Sequence, residues 1–134
     1  MRIPEWGKKR REYPGTGMNK RKEGAKYERI AEGYLLDQGY RIIARNFRCR
    51  TAEIDLIARD GKYLVFLEVK ERSGCALGYA GEAVDGRKQA RILAAARFYL
   101  HRFHIDPQIP VRFDVVCIDK GKLRLIRNAF LYRE

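Results

Sequence analysis

The chain reads as α/β, with a mixed central sheet and a helix on each face. Three observations predict it. Two long segments repeat apolar residues at helical spacing, one closed by Gly39 and one opened by Asp85. Between them lie three strand-like segments, the last two meeting at Asp60-Gly61, a dipeptide that favours a hairpin because a type I′ turn wants φ > 0 at both central positions. After the second helix, two more strand signals are joined at Asp119–Gly121. The order α-β-β-β-α-β-β combines a meander with a helical crossover, so antiparallel and parallel pairs share one sheet.

Each element has its own justification. Residues 1–18 carry Pro4, Gly7, Pro14, Gly15 and Gly17 among charges and read as a flexible basic arm. The remaining residues, 19–134, are the length of one domain. Over residues 20–38, Tyr27, Ile30, Ala31, Tyr34 and Leu35 make an apolar stripe, and Gly39 caps the helix end. Glu28 stands on the edge of that stripe, either leaning toward the sheet or solvated. Strands are expected over 40–49, 53–59 and 62–70, followed by a Gly-rich loop over 71–84. Asp85 is the expected N-cap of a helix over 86–103, with Ile92, Ala95, Ala96, Tyr99 and Phe103 facing the core. Lys88, four residues before Ile92, points along the same inward stripe. Pro107 and Pro110 flank the exit, and strands over 111–118 and 122–126 complete the sheet.

Net charge is +12 and the isoelectric point about 9.9, a field that suits polyanionic partners. Residues 1–24 hold eight Lys/Arg against Glu5, Glu12 and Glu23, a net of +5, so +7 of the charge lies beyond them. No apolar run approaches the ~18 residues of a membrane helix, and the N-terminus lacks the apolar segment of a secretory signal. A cytoplasmic location with no membrane contact is expected. Cys49, Cys75 and Cys117 are scattered and odd in number, which fits neither a zinc site nor a disulfide framework and suits a reducing compartment. His101 and His104 lack a third ligand nearby, so a helix-end role is the better reading than a metal.

The chemistry lies in AEIDLIARDGKYLVFLEVKER, residues 52–72. A turn centred on Asp60-Gly61 sets Asp55 opposite Phe66 and Glu53 opposite Glu68. By the two-residue period of strands, Glu53, Asp55, Phe66, Glu68 and Lys70 share one face, while Ile54, Leu56, Val65, Leu67 and Val69 line a core on the other. Asp55 and Glu68 become diagonal neighbours, roughly 7–8 Å apart at the backbone, within reach of one bridging cation. Charges on a strand face are usually just solvated. Here YLVFLEVK is apolar on both sides until its end, as in a strand covered on both faces. An acid and an ammonium there are costly unless they are paired or bind something.

Asp in the second strand and Glu-x-Lys ending the third resemble the core of the PD-(D/E)xK nucleases, which have the restriction-endonuclease-like fold. The string is similar, more closely, to the uncharacterised YraN-like family. Its pattern appears as Glu28 with Ala31 and Tyr34-Leu35, Gly39-Tyr40, Arg45-Asn46, EIDLIARDG, LVFLEVKER, Lys88 and VRFDVV, covering about residues 24–130. The resemblance implies an αβββαβ core, a site of Asp55, Glu68 and Lys70 completed by Glu28, and a relation by fold to dimeric resolvases of branched DNA. One departure is that Ala52 stands where the family usually has Gly before EIDLI.

On that resemblance the expected function is metal-dependent hydrolysis of phosphodiester bonds in DNA, with branched or damaged DNA as candidate substrates and a homodimer as a candidate assembly. Mg²⁺ or Mn²⁺ would neutralise the scissile phosphate and make a water nucleophilic. Asp55 and Glu68 would be direct ligands, with the Val69 carbonyl a candidate third. Glu28 would act through water or on a second ion. Lys70 would orient or deprotonate the attacking water and stabilise the transition state. Glu53 either supports the site or pairs with Lys70. Arg72 and Lys88 are candidate phosphate contacts, though Arg72 also suits plain surface pairing. Tyr79 either stacks on an unpaired base or packs. A non-catalytic nucleic-acid-binding module on the same fold is the alternative.

Overall fold

The computed structural model describes residues 18–50, 52–71 and 85–131, with side chains from residue 24 onward. Its elements are α1 (Met18–Asp37), β1 (Arg41–Arg48), β2 (Glu53–Asp60), β3 (Tyr63–Glu71), α2 (Gly86–Arg102), β4 (Val111–Asp119) and β5 (Lys122–Phe130). The strands form one sheet in the order β1-β2-β3-β4-β5. Only β3 and β4 run parallel, because the chain crosses between them through α2. This is the mixed α/β architecture expected, compatible with a restriction-endonuclease-like core. Of the expected arm, only Met18, the first residue of α1, lies within the described residues.

Both helix ends follow from local chemistry. Gly39 (φ 93) takes the left-handed conformation, and Tyr40 N–H donates to the Leu35 carbonyl at 2.9 Å, closing α1 as a Schellman motif. At α2 the Asp85 carboxylate accepts the Lys88 N–H at 2.9 Å. Its far end repeats the closure of α1, with His104 (φ 51) in the glycine-like position and Ile105 N–H donating to the Leu100 carbonyl at 3.0 Å. His104 therefore ends the helix through its backbone.

The sheet is buried on both sides. Against α2 pack Ile57, Phe66, Phe113 and Val115, with Ile92, Ala95, Ala96 and Tyr99 from the helix. Against α1 pack Leu56, Ala58, Val65 and Leu67, with Ala31 and Leu35 from the helix. The Tyr99 ring meets Phe47 and Phe66 edge-on, at centroid distances of 5.1 Å and 5.7 Å. The reading of β3 as a strand covered on both faces holds.

Four readings need correction. The first hairpin turns at Gly61-Lys62, since Asp60 pairs with Tyr63. Positive φ falls only on Gly61 (φ 58), the pattern of a type II′ turn. The Asp60 carboxylate accepts from Arg112 at 2.7 Å, which holds this residue in the strand. Second, β5 continues to Phe130. Arg127-Asn128 looks like a strand end in sequence, but Asn128 (φ 54) makes a bulge and the chain resumes with Ala129 buried. Third, Ile54 belongs to the core under α2, not with Leu56. Ala44 and Phe47, three apart on β1, likewise share that core. Strict alternation breaks at Asn46 (φ 52), which the pairs Arg45↔Leu56 and Phe47↔Ile54 set opposite Asp55. Fourth, Cys117 is disulfide-bonded, with its partner outside the described residues, while Cys49 is not in a disulfide.

Candidate active site

The ladder between β2 and β3 runs from Asp60↔Tyr63 to Leu56↔Leu67. One step further, the same register sets Asp55 opposite Glu68, where the sequence pattern placed Phe66. The true turn moves every partner on β3 by two residues. A shift by two keeps each β3 side chain on its face, so Asp55, Phe66, Glu68 and Lys70 still share one, and the register makes the two acids direct rather than diagonal neighbours. At this point the ladder opens, and Val69 N–H donates to Asp55 Oδ2 at 2.8 Å in place of a strand carbonyl.

Asp55 is half-buried beside other acids. Desolvation pushes its carboxyl well above the usual carboxylate range, and the charge of Glu68 adds to the rise. The Val69 N–H opposes this, while Glu28 and Glu53 contribute smaller upward effects. The influence of Glu28, a half-buried residue of α1, places its charge within electrostatic reach of the two strand acids.

Lys88 enters from the first turn of α2, and its Nζ lies 3.0 Å from Glu68 Oε1, with the carboxylate side chain only 11% exposed. Burial lowers the Lys88 pKa, but the charge and hydrogen bond of Glu68 outweigh it and the net shift is upward. Lys70, half-buried, lies two residues beyond Glu68 on the same strand face. Its charge helps to lower the carboxyl of Asp85, behind the larger effect of the Lys88 N–H. Glu53 pairs with Arg48, its cross-strand partner, at 3.5 Å. That contact gives Glu53 a partner other than Lys70, while its charge still acts on Asp55. Ala52 packs at the edge of the α2-side core, and β2 begins in register at Glu53. Arg72 and Tyr79 lie outside the described residues.

Asp55, Glu68, Lys88 and the charge of Glu28 are therefore brought together, with Lys70 on the adjoining strand face. Among the described residues, no three His, Cys, Asp or Glu side chains are arranged to hold a metal ion. The donor chemistry nonetheless suits a hard divalent cation. Carboxylate oxygens are the ligands such ions take, and a bound cation would offset both the desolvation and the acid–acid repulsion that raise Asp55. No helix among the described residues is long and apolar enough to cross a membrane.

A second polar cluster, on the α1 face, was not legible in the sequence. Asp114 is 1% exposed. It accepts from Arg112 Nε at 2.9 Å and Nη2 at 2.7 Å, from Tyr40 Oη at 2.6 Å and from Asn128 N–H at 2.9 Å. Arg112 also reaches Asp60, and its guanidinium lies over the Tyr63 ring at 4.9 Å. The Tyr40 hydroxyl pKa is raised, first by burial and then by Asp114. A buried acid so fully satisfied acts as a structural tie among β1, β2, β4 and β5. The available signal was an Arg-x-Asp alternation inside an otherwise apolar strand.

The family model described as "Uncharacterised protein family UPF0102" matches residues 27–118, a span that includes Glu28, Asp55, Glu68, Lys70 and Lys88. A UPF0102 protein of Lachnoclostridium phytofermentans is 49% identical over 113 residues, covering 84% of this chain and 96% of its own. One of Symbiobacterium thermophilum is 50% identical over 115 residues, covering 82% and 97%. One of Legionella pneumophila (strain Corby) is 38% identical over 105 residues, covering 77% and 89%. With matches of this extent, and as the resemblance to the YraN-like pattern implied, the chain belongs to the UPF0102 family.

Proposed function

We propose that this protein is a metal-dependent endonuclease that hydrolyses phosphodiester bonds in DNA, branched or damaged DNA included. The observation that carries the reading is the meeting of Asp55 and Glu68 where the β2–β3 ladder opens, in a setting that makes an unneutralised Asp55 costly. Asp55 and Glu68 would hold Mg²⁺ or Mn²⁺, and Glu28 would reach it through water or hold a second ion. When bound, the ion neutralises charge on the phosphate and lowers the pKa of water. Val69 N–H fixes the Asp55 carboxylate in place. Lys70 orients or deprotonates the attacking water and donates to the developing oxyanion. Lys88, now on Glu68, is free to turn to a substrate phosphate once that charge is otherwise met, and Arg72 is a further candidate phosphate contact. A homodimer working in the cytoplasm belongs to the same reading. The Cys117 disulfide is the observation that stands against that location, because cytoplasmic thiols are normally kept reduced.

The Lys88–Glu68 ion pair favours a second reading, because it neutralises one ligand with a side chain. On that view the fold is a nucleic-acid-binding module without catalysis. Nicking of flap, junction, nicked and single-stranded DNA with Mg²⁺ or Mn²⁺ separates the two. Lys70→Met should abolish cleavage while leaving affinity nearly intact, since losing one transition-state donor costs ~10²–10³ in rate. Asp55→Asn should also abolish cleavage, and binding should hold or tighten. Wild-type protein that binds but cuts none of these substrates would establish the module.

A further inference from the structure

The outer face of α2 is unusual in charge. The helix carries Arg87, Lys88, Arg91, Arg97 and Arg102 and no acid at all. Lys88 turns inward to Glu68. Arg87, Arg91, Ala94, Phe98 and Arg102 follow at helical spacing along the exposed side, opposite the buried Ile92, Ala95, Ala96 and Tyr99.

A basic helix face is most often only solvated, and two features argue otherwise here. Exposed helices usually mix charge signs, and the like charges of Arg87 and Arg91, four apart, repel each other. Two of the three cations on the edge strand β1 are balanced locally, Arg45 by Glu32 and Arg48 by Glu53. The second feature is Phe98. It is 50% exposed amid these cations, with its ring braced against Phe47 at a centroid distance of 6.1 Å. A braced, half-exposed aromatic among arginines suits a base stacked beside its phosphates.

We propose that the outer face of α2 receives a nucleic acid with a single-stranded segment, Arg87, Arg91 and Arg102 taking phosphates while Phe98 stacks on an unpaired base. This rests on the nucleic-acid reading above and extends it, by naming both the surface and the strandedness it selects. From Arg87 to Arg102 the helix rises ~22 Å, about six nucleotide steps of a duplex-like strand. The track begins at Arg87, beside Lys88, whose Nζ meets Glu68, so its N-terminal end adjoins the acidic site.

Fluorescence anisotropy on a labelled single strand and on the matching duplex, in EDTA over a salt series, tests the proposal. Arg91→Ala/Arg102→Ala should weaken both and flatten the single-strand log–log salt slope by about 1.4, two phosphate contacts at roughly 0.7 each. Phe98→Ala should weaken single-strand binding on the order of five- to a hundredfold and leave duplex binding within about twofold, and Phe98→Trp should restore it. Wild-type affinity and slope in both alanine variants would overturn the α2 track while leaving the nucleic-acid reading intact. Absence of any binding by wild-type protein at low salt would overturn both. If sedimentation shows a wild-type dimer that Phe98→Ala dissociates with single-strand binding unchanged, a second copy covers this face and the proposal falls.

Discussion

Asp55 is a carboxyl group held where ionisation is disfavoured, by desolvation first and by neighbouring acids after that. Its folded pKa lies above the unfolded value of about 3.9, so the folded chain binds the proton more tightly. Metal-free stability should then be highest at acid pH, with respect to this group, and fall as pH rises through the folded pKa. Asp55→Asn should raise the urea midpoint at pH 7–8 in EDTA and change it little near pH 3.5. An equal effect at both pH values would separate Asp55 from this electrostatic role. Tyr99 is a different case. Its hydroxyl is buried with no hydrogen-bond partner among the described residues, and burial pushes its pKa up to about 12. Tyr99→Phe keeps the three ring contacts with Phe47, Phe66 and Phe103 and removes an unsatisfied group. Stability should rise by about 1 kcal/mol in chemical denaturation.

At the scale of the element, β1 shapes the site without contributing a ligand. Asn46 (φ 52) inverts the alternation of β1 opposite Asp55, bringing both Ala44 and Phe47 under α2. Asn tolerates the left-handed region, and a β-branched residue does not. Asn46→Val should cost about 1–2 kcal/mol in stability, while Asn46→Gly should cost much less. If the site works as proposed, Asn46→Val also loses cleavage beyond its effect on folding, measured well below its melting temperature. The two hairpins show how turn chemistry is allotted. Lys120 (φ 50) and Gly121 (φ 78) make a loop with both residues at positive φ, whereas Gly61 alone has it in the first hairpin. Both loops are two residues long, and it is the centring of the first on Gly61-Lys62 that sets Asp55 against Glu68.

The whole molecule is two cores on one sheet, tied on the α1 side by the Asp114 cluster. Arg112, with a side chain only 12% exposed, balances both Asp114 and Asp60. Asp114→Ala should destabilise by about 3–5 kcal/mol in urea denaturation, because it removes the fully buried partner of the Arg112 guanidinium, leaving it Asp60 as counter-charge, and orphans the Asn128 N–H. Replacing Asp114 and Arg112 together by apolar residues should cost clearly less than the single change. A single change no worse than the double would remove the tie from the account.

Local patterns carried much of this architecture. Apolar spacing, Gly39 and Asp85 marked both helices, and strand alternation with turn residues marked all five strands in their order. The acids and Lys70 were legible as one face because side-chain alternation survives a register error of two residues. Which residues touch was not legible in the same way. Nothing near Asp60 in sequence signals Arg112, 52 residues away, whose ion pair holds Asp60 in the strand and moves the turn. Nor does the period of a strand foresee Asn46 in the left-handed region, the passage of Ile54 to the other core, or Lys88 meeting Glu68. Those depend on long-range packing and pairing, which exist only once the sheet has closed, while periods and caps act within a few residues along the chain.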